Sequence, residues 1–302
     1  MRVSTAQIFR QSIDAMLQRQ RELSQTELQV ASGKRIQRPS DDPSAAVRVL
    51  DLKAAEQRFA QYQRNADFAT ARLDQEEAAL IGVQNLLQRV RELAVQGANG
   101  TLSDADRAAV AIEVREHMDS YLQLANSRDA NGEYLFAGFQ TLTRPFSHDG
   151  AGGFSYHGDD GQRMLQIGDS REVATGDPGR IFEDFPAAAG GGATTNVGEV
   201  LYALASSLEA GSGYPEALTD IDTAMNRLLE TRAKIGARMN AIDEQRDAND
   251  TFSLAVTDVR STLEDLDYAE AISRFNQQMT ALQASQQAFV KIQDMSLFNF
   301  LR

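Results

Sequence analysis

His117, His148 and His157 are the only histidines of this 302-residue chain, and with the carboxylates near them they are where metal or acid–base chemistry would have to sit. A zinc site on a helix needs two histidines one turn apart, so Glu116-His117 lacks half of that pattern. His148-Asp149 and His157-Gly158-Asp159-Asp160 could converge on a cation, yet in turn-rich sequence such residues are far more often solvated loop groups. The Gly190-Gly191-Gly192 run follows no apolar strand and precedes no Lys-Ser/Thr pair, so it reads as a flexible connection rather than a phosphate loop. The acidic pairs Asp41-Asp42 and Asp159-Asp160 come with no partnered general acid. With no cysteine, thiol nucleophiles and disulfides are excluded as well. The sequence therefore predicts no enzyme, and no catalytic, cofactor-binding or metal site.

The segments on either side of the stretch that holds His148 and His157 are helical. Hydrophobic residues make up 42% of the chain and aromatics 7%, without tryptophan, and Ala, Leu, Gln, Arg and Glu dominate, all residues that lose little on entering a helix. Of the 21 glycines, 16 fall between Gly132 and Gly213, and four of the six prolines lie in or beside that stretch, which marks an insertion between two helical arms. Phe9, Met16, Leu23 and Val30 recur every seven residues with Ile13 and Leu17 alongside, a narrow apolar stripe that requires another helix. Asp42 before Pro43 predicts a helix start. From there Leu73, Leu80, Leu87 and Ala94 interleave with Val83 and Val90 as a coiled-coil seam. Ser103 with Asp106 predicts a capped third helix through Val110, Val114, Met118, Tyr121 and Ala125, packed antiparallel on the second, and Asn196 with Glu199 caps a short fourth. Tyr134-Leu135-Phe136, Phe154-Ser155-Tyr156 and Met164 to Ile167 read as short strands. Beyond Pro215 a last arm carries Ile221, Met225, Leu228, Ile235, Met239 and Ile242, then Phe252 to Leu266, then Ile272, Phe275, Met279, Leu282 and Phe289, with Gln286 interrupting one seam position.

The expected fold is mainly α: a long antiparallel helical coiled coil or bundle formed by the N- and C-terminal arms, with a small β-rich inserted domain. Expected domains are residues 1–40 with 267–302, residues 41–140 with 214–266, and the outer insert 141–213. Ordering a backbone costs roughly 1–2 kcal/mol per residue, so terminal helices with narrow stripes are marginal alone and should fold on assembly. On periodicity alone, a helical bundle closed within one monomer or a cytosolic coiled-coil scaffold fits equally well. A net charge of −13 argues against nucleic acid and anionic membrane as partners, and with only four lysines there is no polybasic segment. Residues 1–20 hold no signal-peptide apolar core and no run of about 18 apolar residues follows, so secretion would need another route.

Ser32-Gly33-Lys34-Arg35-Ile36 followed by Pro39-Ser40-Asp41-Asp42-Pro43 resembles the segment joining the two inner domains of flagellin-family proteins. In physical terms Gly33 ends a helix, Lys34 and Arg35 sit at that helix's negative end, and Asp41-Asp42-Pro43 opens the next. The resemblance extends to Asn65, Leu86 to Gly100, Asp265 to Ala271, Leu282-Gln283-Ala284-Ser285 and the Leu297 to Leu301 tail. Met1-Arg2-Val3-Ser4-Thr5, Pro43, and Gly132 to Phe139 with Pro145-Phe146 are similar to family members that join hook to filament rather than to the filament subunit, which remains the alternative. The resemblance implies a subunit of the bacterial flagellum exported through the flagellar type III channel without a cleaved signal peptide. It also implies copies of itself in a ring, the first junction protein on the hook side, flagellin on the filament side, an export chaperone on the C-terminal helix, and no cofactor. Subunit-interface candidates are Phe9, Ile13, Met16, Leu23, Val30, Ile272, Phe275, Met279, Leu282 and Phe289, and the motif residues are Ser32, Gly33, Lys34, Arg35, Asp41, Asp42 and Pro43.

Overall fold

A computed structural model describes residues 5–188, 193–211 and 214–298. Its elements run α1 (Thr5–Ser32), α2 (Pro43–Gly97), α3 (Asp104–Ala125), β1 (Phe146–His148), β2 (Phe154–Tyr156), β3 (Met164–Gln166), β4 (Glu172–Ala174), a 3-10 turn (Gly179–Phe182), β5 (Phe185–Pro186), β6 (Thr194–Thr195), α4 (Val197–Glu209), α5 (Ala217–Glu264) and α6 (Tyr268–Phe298). The chain divides into two compact units, residues 1–58 with 251–302 and residues 59–250.

The second unit holds the main core. Leu73, Leu80, Val83, Leu87, Val90 and Ala94 are all buried, as the heptad pattern of α2 predicts. They share one cluster with Val110, Val114, Met118 and Tyr121 of α3, Leu201, Leu204 and Leu208 of α4, and Ile221, Leu228, Ile235 and Ile242 of α5. Burying each large aliphatic side chain contributes about 1.5–3 kcal/mol. The predicted caps form: Ser103 accepts from the N–H of Asp106, and Asn196 from that of Glu199. As expected, α3 packs antiparallel on α2, where Gly82 faces Leu124 and Arg89 binds Glu113 at 2.8 Å, and it also pairs with α4. It lies closest to α4, where Ala111, Ala125 and Ala205 are fully buried and small enough for close approach, and Arg115 binds Glu209 at 2.7 and 2.8 Å.

The insert is built from three two-stranded antiparallel ladders, β1–β2, β3–β4 and β5–β6. Phe154–Tyr156 and Met164–Gln166 are strands as predicted, but each pairs with a neighbour the sequence did not mark, Phe146–His148 and Glu172–Ala174 respectively. Tyr134-Leu135-Phe136 is no strand. Beyond one bridge from Tyr134 to Arg128 it turns, because Leu135 and Phe136 plunge into the core instead of alternating. Phe136 and Phe146 meet Phe182 edge-on at 5.1 and 5.7 Å, and Tyr121 meets it at 5.8 Å, each such pair adding about 0.5–1.5 kcal/mol beyond burial.

Charged groups are sealed into this unit. Arg72 of α2 binds Asp129 at 2.9 Å, Arg238 of α5 grips Asp177 at 2.8 and 2.9 Å, and Glu76 of α2 accepts the N–H of Asp177 at 3.0 Å. Glu76 is 1% exposed and its Oε2 has no hydrogen-bond partner. Burial, and then the Asp177 charge beside it, push its carboxyl up to about 8, so it is protonated at neutral pH.

Candidate assembly interface

The first unit is organised by the segment between α1 and α2. Gly33 ends α1 in the left-handed region, φ +70°, where its N–H bonds to the carbonyl of Gln29. A Cβ there would also stand 2.8 Å from the Tyr268 hydroxyl. The turn carries the chain to the far end of α5: the N–H of Arg35 donates to the carbonyl of Glu264 at 2.7 Å, and that of Leu266 to the carbonyl of Gly33 at 3.0 Å. Lys34 and Arg35 follow directly on the end of α1, and their side chains reach across to α5. Arg35 Nη2 donates to the Leu263 carbonyl of α5 at 2.7 Å, and Lys34 Nζ reaches Glu264 at 2.7 Å.

Glu264 is the hub. Its side chain is 5% exposed and meets Lys34, Lys53 at 2.8 Å and Arg260 at 3.0 Å. Burial pushes its carboxyl up, but hydrogen bonds from Lys34, Lys53 and Arg260 outweigh that and hold it at about 2. Arg260 also binds Glu56 at 2.8 Å. The acidic half of the motif closes the segment. Asp41 accepts from the N–H groups of Gln37 and Arg38, while Asp42 accepts from that of Ala45 and from the Ser44 hydroxyl, capping α2 just before Pro43. Those bonds, the Ala45 N–H foremost, hold the Asp42 carboxyl below its ordinary range. Ser32 accepts from the Gln37 side chain at 2.9 Å.

The stripe on the last arm does not run through. It breaks after Glu264, and Asp267 restarts the helix by accepting from the N–H groups of Ala269 and Glu270. The two terminal helices α1 and α6 then pack together. Because the bridge from Lys34 to Asp265 sets the end of α1 beside the start of α6, they run antiparallel. Near that end Val30 and Ala31 form an apolar groove with Ile272 and Phe275. Ile13, Met16, Leu23, Val30, Phe275, Leu282 and Phe289 are half-buried, Ile272 and Met279 remain 49% and 37% exposed, and the side chain of Phe9 lies outside the described residues.

Among the described side chains of this pair, only Thr26, Gln29 and Ala271 are buried, so no large apolar residue of the seam is fully covered. Half-covering leaves about 1 kcal/mol of transfer free energy ungained per large side chain. The seam is thus an apolar surface that a single partner helix does not close. Sequence reading missed Gln29, whose Nε2 donates to the Arg35 carbonyl at 2.8 Å, and missed Glu264 with its cations. The available signal for Glu264 was an opposite charge, Arg260, one turn before it on a face that also carries Val256 and Leu263. His148 stacks on Phe154 at 4.5 Å and His157 Nε2 meets the Ser147 hydroxyl at 2.7 Å. Among the described residues no cluster of three metal-binding side chains forms and no helix is long and apolar enough to cross a membrane.

Residues 3–141 match the bacterial flagellin N-terminal helical region and residues 218–301 the bacterial flagellin C-terminal helical region. The chain is 33% identical to flagellar hook-associated protein 3 of Escherichia coli K12 over 99% of both sequences. It is 31% identical to flagellar hook-associated protein 3 of Salmonella typhimurium LT2 over 100% of both. The crystal structure of the flagellar junction protein FlgL of Legionella pneumophila superposes with a TM-score of 0.62, covering 74% of this chain and 100% of that one at 19% identity, a likeness of fold.

Proposed function

We infer that this chain, which belongs to the bacterial flagellin family, is a structural subunit of the flagellum that joins hook to filament. The observation that carries this reading is similarity from end to end, insert included, to two flagellar hook-associated proteins. The role is mechanical rather than catalytic. In this reading the half-covered seam of Ile13, Met16, Leu23, Val30, Ile272, Phe275, Met279, Leu282 and Phe289 is completed by the same helices of neighbouring copies, and the Glu264 hub sets the angle at which α1 and α6 leave the rest of the first unit.

Copies form a ring, with the first junction protein on the hook side and flagellin on the filament side. Before assembly the chain passes through the flagellar export channel, its C-terminal helix held by a chaperone, and residues 141–213 face outward as an inserted domain. A terminal seam left half-covered in the single chain supports this order of events. Immunogold labelling of isolated flagella tests the reading. A single band of label where hook meets filament is expected, whereas label along the whole filament would make the chain the filament subunit.

A further inference from the structure

The sequence contains two Asn-Gly pairs, Asn99-Gly100 and Asn131-Gly132, and in both the asparagine is exposed in a turn. Glycine after asparagine leaves the next backbone nitrogen open to the side-chain amide carbon, because no Cβ shields it. The two turns treat that nitrogen differently.

In the connection from α2 to α3, Asn99 donates its N–H to the carbonyl of Gln96 at 3.1 Å, and its own carbonyl accepts the N–H of Leu102 at 3.2 Å. Its side-chain Oδ1 accepts twice from Thr101, from the N–H at 3.1 Å and from the hydroxyl at 2.9 Å. Among the described residues the N–H of Gly100 has no hydrogen-bond partner, and nothing lies within 4 Å of where a Cβ would stand. The Asn131-Gly132 turn is closed instead. The N–H of Gly132 donates to the carbonyl of Asp129 at 3.0 Å, while Asp129 Oδ1 accepts the N–H groups of Asn131 and Glu133 at 2.8 and 3.0 Å. Asp129 is itself paired with the buried Arg72, so freeing the Gly132 nitrogen means opening a turn tied to the core of the second unit.

We propose that Asn99 is a site of self-modification, where the Gly100 nitrogen displaces the side-chain amide without enzyme or cofactor, and that Asn131 is protected from the same reaction. The Gly100 nitrogen gives its proton to solvent, and its lone pair forms a bond to Asn99 Cγ. The carbonyl pair moves onto Oδ1, where the N–H and hydroxyl of Thr101 are already placed to stabilise the negative charge. That pair returns as the Cγ–Nδ2 bond breaks, and Nδ2 leaves as ammonia after taking a proton from water. Water then opens the succinimide ring at either carbonyl and leaves aspartate or isoaspartate at position 99, so the net reaction consumes water and releases ammonia. Either product places a carboxylate just past the negative end of α2, and isoaspartate also lengthens the main chain by a carbon between α2 and α3.

The test keeps the purified full-length chain in mildly alkaline buffer and follows both pairs by peptide mass spectrometry, with an isoaspartyl methyltransferase to label the product. In the native chain, conversion at Asn99 should exceed that at Asn131 about tenfold, the factor that one hydrogen bond of ordinary net strength supplies. In urea, with both turns open, the two should convert alike. Thr101→Val, an exposed substitution of the same shape, should slow Asn99 about threefold and leave Asn131 unchanged. An Asn99 that keeps its amide, equal rates in the native chain, or a Thr101→Val variant that converts as fast as the parent would overturn the proposal. A difference that survives in urea would do the same, because it would lie in the flanking sequence rather than in the turns.

Discussion

At the scale of single residues, two buried glutamates respond to pH in opposite directions. Glu264 is held at about 2, below an ordinary carboxyl, so its stabilisation of the first unit is complete above about pH 4.5 and disappears as pH falls toward 2. Glu76 is held at about 8, above the ordinary value, so its contribution to the second unit is complete below about pH 4.5 and is lost as pH rises through 8. Glu76→Gln, which keeps the shape without the charge, should therefore flatten the pH dependence of unfolding between pH 5 and 8, followed by urea titration at each pH. An unchanged slope would mean that Glu76 is ionised in the folded protein. Glu264→Ala should cost about 1–2 kcal/mol, because the lysines it releases are 45% and 40% exposed and regain water. Gly33→Ala combines a left-handed backbone with a clash against the Tyr268 hydroxyl and should cost about 1–3 kcal/mol. In a Tyr268→Phe background that cost should shrink, and a strictly additive double mutant would exclude the clash.

Elements differ in how much of them sequence discloses. The seams of α1, α2 and α6, the caps at Asp42, Ser103 and Asn196, and the end of α1 at Gly33 are legible because each depends on residues within a turn or two of one another. The hub is not, since Glu264 lies 230 residues from Lys34 and 211 from Lys53. Nor are the ladders of the insert: strands of two or three residues are too short to show a period, so Phe154–Tyr156 could be recognised but not its partner. The packing of α3 on α4 depends on alanines, which no hydrophobic pattern singles out. For α1 and α6 the half-covered seam gives two expectations. In the free subunit their amide hydrogens should exchange much faster than those of α2 residues 59–97, and slow exchange at both ends would contradict folding on assembly. Leu23→Glu or Leu282→Glu should abolish assembly while leaving the helicity of the second unit unchanged by circular dichroism; a collapse of that helicity would show that the seam is part of the monomer's core.

For the molecule as a whole, composition and core placement separate two parts of the chain. A net charge of −13 sets up mutual repulsion between copies, and without cysteine the chain forms no disulfide. The second unit closes its own core, with Leu73, Leu80, Phe136 and Ile235 fully buried, whereas the first leaves its terminal seam half-covered. Under the proposed function, the second unit folds by itself and the terminal seam is completed by neighbouring copies. The most direct test is to delete the gene in its flagellated host and follow flagellin by blotting the medium and imaging the hooks. A junction subunit predicts hooks without filaments and unpolymerised flagellin spilled into the medium. Bare hooks with no flagellin anywhere would make this chain the filament subunit instead, and normal filaments would contradict the account altogether.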